Sequence, residues 1–168
     1  MGMPLPSRKV TLMVIASTEA EIRETHARFL EMRAQIERGE RPWRDLCEFF
    51  TDDAYYVDPA WGRVEGIEAI RLFMDESMGG LEGWVFPTLW TVVDGHRLVS
   101  GWMNRLPGQR ADGTFYEAPG ISVLQYAGKG RFSSSEDLLN MVHVGELIRE
   151  SGWKPGPGAV RPPANPRR

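Results

Sequence analysis

The sequence predicts an α+β fold, in which helices pack on one face of a curved antiparallel sheet. Amphipathic helical patterns fill the first half of the chain, whereas long strand patterns joined by hairpin turns fill the second half. The 168 residues suffice for one substantial core and are too few for two comfortable domains. The chain also contains no internal repeat and no phosphate-cradling glycine motif, so nothing in it favours a different architecture.

The helical patterns lie before residue 80. Thr18 and Glu21 have the spacing of a capping box, which predicts that the first helix begins at Thr18, and Gly39 stands where a helix C-cap is usual. A short second helix is predicted in "WRDLCEFF" and ends at "TDD". The β-forming run "AYYVD" predicts a strand that ends at Pro59. The apolar spacing of residues 66–78 predicts a third helix.

From Trp84 to about Met141 the sequence predicts strands. The patterns are "WVFPTLWTVVD", "RLVSGWMNRL", "TFYEAPGISVLQYA" and "RFSSSEDLLNM", and the hairpin signals "DGH", "PGQRADG" and "GKG" separate them. Pro87 and the "APG" at residues 118–120 suggest edge positions or bulges. A last short helix is predicted from His143 to Glu150.

These patterns divide the chain into three parts. Residues 1–17 are expected to be a loose leader, and residues 18–150 form the folded domain. Residues 151–168 are rich in proline and glycine, so this tail is expected to be disordered or draped over the surface.

Composition excludes several classes of function. The net charge of −3 provides no basic stripe for nucleic acid, and the three histidines show no metal-ligand spacing. The longest apolar stretch near the N-terminus, residues 10–16, is too short to span a membrane. The single cysteine, Cys47, excludes an intrachain disulfide and lies in an apolar helical pattern. We therefore expect a cytoplasmic protein with no metal site, no nucleic-acid partner and no membrane partner.

The element order and four segments resemble the SnoaL-like branch of the nuclear transport factor 2-like superfamily. The segments are "FFTDDAYYVDP", "GIEAIRLFM", "WMNRLPGQRADGTFYEAPGISVLQY" and "EDLLNM", and the resemblance covers roughly residues 18–145. It implies a cystatin-like α+β barrel, a cone whose curved sheet wraps N-terminal helices around an apolar cavity. Isomerases, cyclases, epoxide hydrolases and carriers share this scaffold, so the resemblance predicts the fold better than the reaction.

Asp58 is the first candidate for a catalytic carboxylate. The "VDP" segment resembles the part of ketosteroid isomerase that carries its general base, and this base matches Asp58. The oxyanion tyrosine of that family falls near Phe29 or Met32, which cannot donate a hydrogen bond, so steroid isomerisation is unsupported. The alternative is that the Asp58 carboxylate caps a turn after the strand.

Asp137 is the second candidate and is the one that we favour. Limonene epoxide hydrolase and the SnoaL-type polyketide cyclases carry an acid–base aspartate near their last strand, and this residue matches Asp137. The Arg-x-Asp pair of the hydrolase falls on Trp102 and Asn104, so its water-activating relay is absent. Strand alternation places Trp102 and Asn104 on one face, where we expect Asn104 to lie across from Asp137. The alternatives are a surface position for Asp137 and plain core packing for Trp102.

The remaining candidates concern binding. Tyr56 is expected to position the substrate, Phe29 to line the cavity and Trp61 to lie at its mouth. The ligand is expected to be small and largely apolar, and no cofactor is predicted. Apolar residues on both faces of the predicted strands require a second cover, which favours a homodimer through the convex sheet face.

The sequence therefore predicts a small-molecule-binding protein with acid–base chemistry. Isomerisation, cyclisation, hydration and hydrolysis are all compatible with one proton-transferring aspartate in an apolar cavity. A non-catalytic carrier or ligand-sensing module of the same fold is the alternative. A second alternative is a protein-interaction subunit, in which the protein's own side chains fill the cavity.

Overall fold

The computed structural model describes the backbone of residues 8–166 and the side chains from Thr18 onward. Three α-helices, six strands and one 3-10 helix are present in this part of the chain. The elements are α1 (Arg8–Glu37), the 3-10 helix (Trp43–Phe49), β1 (Phe50–Asp58), β2 (Gly62–Glu65), α2 (Ile67–Met78), β3 (Thr88–Asp94), β4 (Arg97–Gln109), β5 (Phe115–Gly128), β6 (Arg131–Leu139) and α3 (Met141–Ser151).

The six strands form one curved, open sheet. Their order is β2-β1-β6-β5-β4-β3, so β2 and β3 are the two edges. Neighbouring strands are antiparallel except for β1 and β6, which run parallel. The parallel pair brings the two ends of the strand region together and places Tyr56 beside Ser135. The predicted α+β class, with helices against one face of the sheet, is confirmed.

The main core lies between the concave face of the sheet and the helices α1 and α2. The largest side chains of this core that are completely buried come from all of these layers: Phe50, Phe132, Ile22, Ile70 and Leu98. Inward residues alternate along β4, where residues 98, 100, 102, 104 and 106 are all buried. This alternation places Trp102 and Asn104 on the concave face, as the sequence predicts.

Several predicted boundaries are wrong. Helix α1 begins at Arg8 and not at Thr18, so the Thr18–Glu21 pair lies inside the helix, where no first-turn N–H groups need a cap. The part of the predicted leader before Arg8 lies outside the described residues. "TDD" belongs to β1 and does not separate a helix from a strand. The short strand β2 occupies what was expected to be a loop, because it pairs with β1 across a tight turn.

The proline-containing segments also behave differently from each other. Pro87 precedes the edge strand β3, whose register with β4 shifts between Thr88 and Trp90. In contrast, the "APG" segment lies within the interior strand β5 and keeps a regular register with β4. The expectation of a bulge at "APG" is therefore wrong, and Gly120 instead makes room for the ring of Trp102.

The convex face of the sheet carries an apolar row. Trp90, Gly101, Ile121 and Leu138 are direct neighbours across β3, β4, β5 and β6. The Trp90 indole lies on Gly101, where an added Cβ would be 2.2 Å from the ring. Trp90, Ile121 and Leu138 remain exposed to solvent. This row has no cover within the described chain.

The C-terminal elements close the domain at one end. Asn140 caps α3 by accepting hydrogen bonds from the backbone N–H groups of Val142 and His143, and Gly152 ends it with a left-handed φ of 68°. The helix thus begins at Met141, two residues before the predicted start. Within residues 8–166, no helix has the length and apolar character needed to cross a bilayer.

Candidate functional site

A cavity of about 510 Å³ lies between the concave face of the sheet and the helices. Its walls are predominantly apolar and aromatic, which is typical of small-molecule sites. The structure brings all seven residues predicted for the site to this one cavity: Asp58, Asp137, Tyr56, Trp102, Asn104, Phe29 and Trp61.

Asp137 lies on β6 with both carboxylate oxygens hydrogen-bonded. The Tyr56 hydroxyl donates to Oδ2 at 2.6 Å, and the Ser122 hydroxyl donates to Oδ1 at 2.6 Å. The strand register produces this arrangement, because Ser122 of β5 pairs directly with Asp137 and Tyr56 of β1 lies next to β6. The result is a carboxylate held in one orientation at the cavity wall.

The environment of Asp137 favours its neutral form. Burial raises the pKa of Asp137 to about 6, and the negative charge of Asp58 acts in the same direction. The hydrogen bonds from Ser122 and Tyr56 and the positive charge of Arg33 oppose this increase. Burial also raises the pKa of Tyr56 well above its usual range, so Tyr56 is a hydroxyl donor at neutral pH. Asp137 is therefore a group that can change protonation near neutrality.

Trp102 connects to the same carboxylate through Ser122. Its indole Nε1–H donates to Ser122 Oγ at 2.9 Å. The ring lies over Gly120, its partner in β5, where an added Cβ would approach ring atoms to 2.6 Å. Gly120 thus allows the indole to lie flat against β5. Trp102 is therefore packed in the core, which was the alternative to ligand stacking, and it also belongs to the polar network, a role that the sequence did not predict.

Asn104 does not lie across from Asp137, so this part of the prediction is wrong. Asn104 pairs with Ala118, whereas Asp137 pairs with Ser122, four residues further along β5. Four strand residues span about 13 Å, and β5 separates the two strands. The hydroxyls of Ser122 and Tyr56 occupy the role that was assigned to Asn104. Among the described residues, the structure gives the buried Asn104 amide no hydrogen-bond partner, so it faces the cavity available to a ligand.

Asp58 has the turn-capping role that was its alternative. Its Oδ1 accepts hydrogen bonds from the backbone N–H groups of Ala60 at 2.7 Å and Trp61 at 2.9 Å. These bonds fix the tight turn between β1 and β2 and hold Trp61 at the cavity. Asp58 still lines the cavity and contributes negative charge there, which acts on Asp137.

Arg33 is a cavity residue that sequence reasoning missed. Its guanidinium donates to the Phe86 carbonyl at 2.6 Å and to Thr88 Oγ1 at 2.9 Å, and its Nε lies 3.5 Å from Glu37 Oε1. Glu37 in turn accepts from the Phe86 N–H at 3.0 Å. Burial lowers the pKa of Arg33 and raises that of Glu37. The available signal was the position of Arg33 four residues after Phe29, on the same helical face.

His26 is the second missed residue. It is buried on α1, stacks on Phe29 with ring centroids 6.2 Å apart, and lines the cavity. Burial, together with the charge of Arg33, lowers the pKa of His26 to about 4. The imidazole is therefore neutral at physiological pH and presents one donor and one acceptor. The sequence did not predict a role for His26 in the site.

Aromatic rings form most of the remaining wall. Five of the six tryptophans line the cavity: Trp43, Trp61, Trp84, Trp102 and Trp153. Edge-to-face pairs lock several of them, including Trp61 with Phe73 at 6.2 Å and Trp84 with Trp153 at 5.0 Å between centroids. This arrangement offers flat apolar surfaces to a ligand.

The C-terminal tail provides another part of the wall. Pro155 and residues 159–162 line the cavity, and the Gly156 N–H donates to the Gly80 carbonyl at 2.9 Å. The backbones approach closely, because an added Cβ at Gly80 would lie 2.7 Å from the Ala159 Cβ. The tail therefore runs against the turn after α2, along the rim of the cavity.

Gly79→Ala should loosen this tail. Gly79 has an ordinary φ of −61°, yet its added Cβ would lie 2.9 Å from the Gly158 carbonyl oxygen. Overpacking of this kind should speed hydrogen exchange of the Gly156 amide by roughly fivefold or more. Gly145→Ala is the matched control, because an added Cβ at Gly145 meets nothing within 4 Å. Equal exchange in both variants and the parent would show that the tail is not held by this contact.

The geometry of the described site contains no group of three or more His, Cys, Asp or Glu residues arranged to hold a metal ion. Two of the ionisable groups at the cavity are paired: Arg33 with Glu37 behind the wall, and Asp137 with Tyr56. Among these groups, Asp137 is the carboxylate placed to transfer a proton.

Comparisons with known proteins agree with the observed fold. The profile of the SnoaL-like domain matches residues 26–134. No curated protein matches the sequence significantly. Many solved structures share the fold. One is a SnoaL-like polyketide cyclase candidate from Jannaschia sp. CCS1, with a TM-score of 0.60 and 18% identity over 77% of this chain and 92% of that chain.

Two further structures carry a ligand. TerC, co-crystallised with polyporic acid, has a TM-score of 0.58 and 17% identity over 74% of this chain and 98% of that chain. A protein from Catenulispora acidiphila with a ketosteroid isomerase-like fold, in complex with trimethylamine, has a TM-score of 0.56 and 19% identity, covering 76% and 97% of the two chains. At these identities the likenesses show the fold alone.

Proposed function

The chain belongs to the SnoaL-like family, and from this premise we propose that it is a small-molecule enzyme in which Asp137 transfers a proton without a cofactor. One observation carries the proposal. Asp137 faces an apolar cavity, is oriented by two hydroxyl donors, and has a pKa raised to about 6. A carboxylate with these properties is matched to acid–base catalysis near neutral pH.

The proposed step is proton abstraction from a bound molecule. The charged Asp137 takes a proton from an acidic C–H or O–H bond, and the electron pair of that bond stays on the ligand. Tyr56 and Ser122 hold the carboxylate during this step, and the apolar walls limit the access of water. The same group then returns the proton to another atom. Isomerisation, cyclisation and dehydration all share this step.

The lining residues suggest the ligand. The aromatic walls, which include Phe29 and Trp61, favour a flat and largely apolar molecule. Asn104 and the neutral His26 provide hydrogen-bonding groups for a carbonyl or hydroxyl oxygen. A polyketide-like aromatic ketone fits this description.

A deuterium-exchange experiment tests the proposal before the natural substrate is known. The protein is incubated in D2O with a panel of neutral aryl ketones and 1,3-diketones, and proton NMR follows the loss of their acidic C–H signals. We expect at least one compound to exchange faster with the parent protein than with the Asp137→Asn variant. Exchange that is equal in both would contradict the proposal.

A non-catalytic carrier is the second candidate, and one observation favours it. Both oxygens of Asp137 already accept hydrogen bonds from the protein, as a purely structural carboxylate would. Compounds that bind, as seen by a change in their own NMR line widths, without any exchange would favour the carrier. The cytoplasmic location and the lack of a cofactor stay predictions.

We also propose a homodimer formed through the convex face of the sheet. The row of Trp90, Ile121 and Leu138 crosses four strands and is 46%, 38% and 48% exposed, respectively. A second copy of the same face would bury this row by a self-complementary contact. Light scattering at micromolar concentration should give the dimer mass for the parent protein.

The variant Ile121→Lys provides the contrast for the dimer, because it places a charge at the centre of the row. It should give the monomer mass, whereas Leu72→Lys, a change at an exposed position on α2, should leave the dimer intact. A monomeric parent protein would overturn the proposed dimer.

A further inference from the structure

The polar network at Asp137 has a direction. An indole N–H is a donor only, so Ser122 Oγ must accept the 2.9 Å hydrogen bond from Trp102. Ser122 has one hydroxyl hydrogen, which it donates to Asp137 Oδ1, with the two oxygens 2.6 Å apart. The chain of donors therefore runs one way, from Trp102 through Ser122 to Asp137.

The two carboxylate oxygens consequently differ. A proton on Oδ1 would face the Ser122 hydrogen, and Ser122, which already accepts a hydrogen bond from Trp102, would have to turn that hydrogen away from the carboxylate. The other oxygen, Oδ2, shares its hydrogen bond with Tyr56, whose hydroxyl hydrogen can rotate toward the cavity. The neutral form of Asp137 is therefore better accommodated with its proton on Oδ2.

We propose that Trp102 is a positioning residue, which fixes Ser122 as a one-way donor and thereby confines the transferable proton to Oδ2 of Asp137. This inference rests on the proposed function. In the transfer step, the ligand X–H bond breaks, the Oδ2–H bond forms, and the electron pair remains on the ligand. Trp102 does not itself carry the transferred proton and acts on this step only through Ser122.

The fold builds this position into the β4–β5 pair. Trp102 lies opposite Gly120, and the missing Cβ leaves room for the indole against β5. Phe86 packs edge-to-face on the other side, with ring centroids 5.9 Å apart. Two residues further along β5, Ser122 receives the indole N–H. The indole cannot turn away without losing both ring contacts.

The other titratable groups at the cavity are unchanged in this test. They are Arg33 and the neutral His26 on α1 and Asp58 and the Tyr56 hydroxyl on β1. A change in the titration of Asp137 after a substitution at position 102 therefore reports the Trp102–Ser122 link.

Carbon-13 NMR titration of the Asp137 side-chain carboxyl tests the inference without a substrate. Trp102→Phe keeps a buried ring and removes the N–H. A Ser122 hydroxyl without this donor is a weaker donor to the carboxylate and is free to accept from its neutral form. We expect the pKa of Asp137 to rise by about half a unit or more.

A double-mutant cycle separates the link from packing. Ser122→Ala should raise the pKa of Asp137 on its own, because it removes a hydrogen bond to the charged form. In the Ser122→Ala background, Trp102→Phe should then add nothing. An unchanged pKa in the single Trp102→Phe variant, or an equal shift with and without Ser122, would overturn the inference.

A second variant guards against a failure of Trp102→Phe to fold. Gly120→Ala places a Cβ 2.6 Å from the indole and should displace its N–H from Ser122, so the pKa of Asp137 should rise again. The absence of a rise would count against the inference. The outcome is also separable from that of the proposed function, because loss of the proton-transfer role would appear as equal exchange by the parent and Asp137→Asn, whatever the titration shows.

Discussion

Asp137→Asn should lower turnover at neutral pH by about two to four orders of magnitude, the usual contribution of a positioned general base. Asparagine has nearly the same shape and still offers an oxygen to one of the two hydroxyl donors, Tyr56 or Ser122. It cannot accept a proton at the working pH. The loss would therefore be chemical, and the ligand should still bind.

Asp58→Asn is the matched control for this prediction. Its side chain can still accept the backbone hydrogen bonds of Ala60 and Trp61, so the turn should be kept and turnover should change little. Comparable losses in both variants would contradict the assignment to Asp137. Parent-like activity in the Asp137→Asn variant would favour the carrier function.

The pH dependence follows from the same carboxyl group. Because the charged form acts as the base, turnover should fall as the pH decreases through about 6. Stability should change in the opposite sense. The folded pKa lies above the ordinary value of 3.8, so the folded state binds more protons between pH 3.8 and about 6, and the free energy of unfolding falls as pH rises through this window. Asp137→Asn should abolish that dependence without loss of stability at neutral pH.

Arg33→Met should reduce the free energy of unfolding by about 3–5 kcal/mol, the range measured when one member of a buried ion pair is removed. The substitution leaves Glu37 buried beside an apolar side chain. It also removes the hydrogen bonds that Arg33 donates to Thr88 and to the Phe86 carbonyl. Both charged side chains are only 16% exposed, so water compensates for little of this loss. Urea denaturation provides the measurement.

The double variant Arg33→Met with Glu37→Met is the control. Replacing a buried pair by apolar groups is often neutral or stabilising, so most of the lost stability should return. Arg33→Lys is a second comparison. It keeps the positive charge but loses the planar guanidinium that donates to both the Phe86 carbonyl and Thr88. A loss below about 1 kcal/mol for Arg33→Met would show that the pair behaves like a surface contact.

Strong local patterns explain which elements the sequence predicts well. Helix α2 was predicted within one residue of its observed bounds, Ile67–Met78, because its apolar spacing and flanking glycines agree. The turns "DGH" and "GKG" likewise connect β3 with β4 and β5 with β6. The start of α1 was missed because Thr18 is a residue type that often caps helices, although here it lies inside a helix that begins at Arg8. Strand β2 was missed because four residues carry too little periodicity.

The site was predictable only in part, and for physical reasons. Strand alternation and the family resemblance together indicated Asp137, Trp102 and Asn104 as concave-face residues. Register, however, depends on pairing between distant strands, so the sequence did not show that Ser122 and not Asn104 opposes Asp137. Arg33 was missed for a different reason. Its spacing from Phe29 was a weak signal, because an arginine on a helix is usually solvated, and only the fold shows that Glu37 and the Phe86 carbonyl are its partners.

The positions of the tryptophans allow the intrinsic fluorescence of the protein to report on binding. Indoles on opposite walls of the cavity, at Trp43, Trp61, Trp102 and Trp153, lie where an incoming aromatic ligand would contact them and quench their emission. Trp90 is the exception, because it stands on the convex face. Its emission wavelength would respond to burial by a second subunit. Ligand entry and subunit association can thus be followed separately in the unlabelled chain, with Trp90→Phe isolating the first signal from the second.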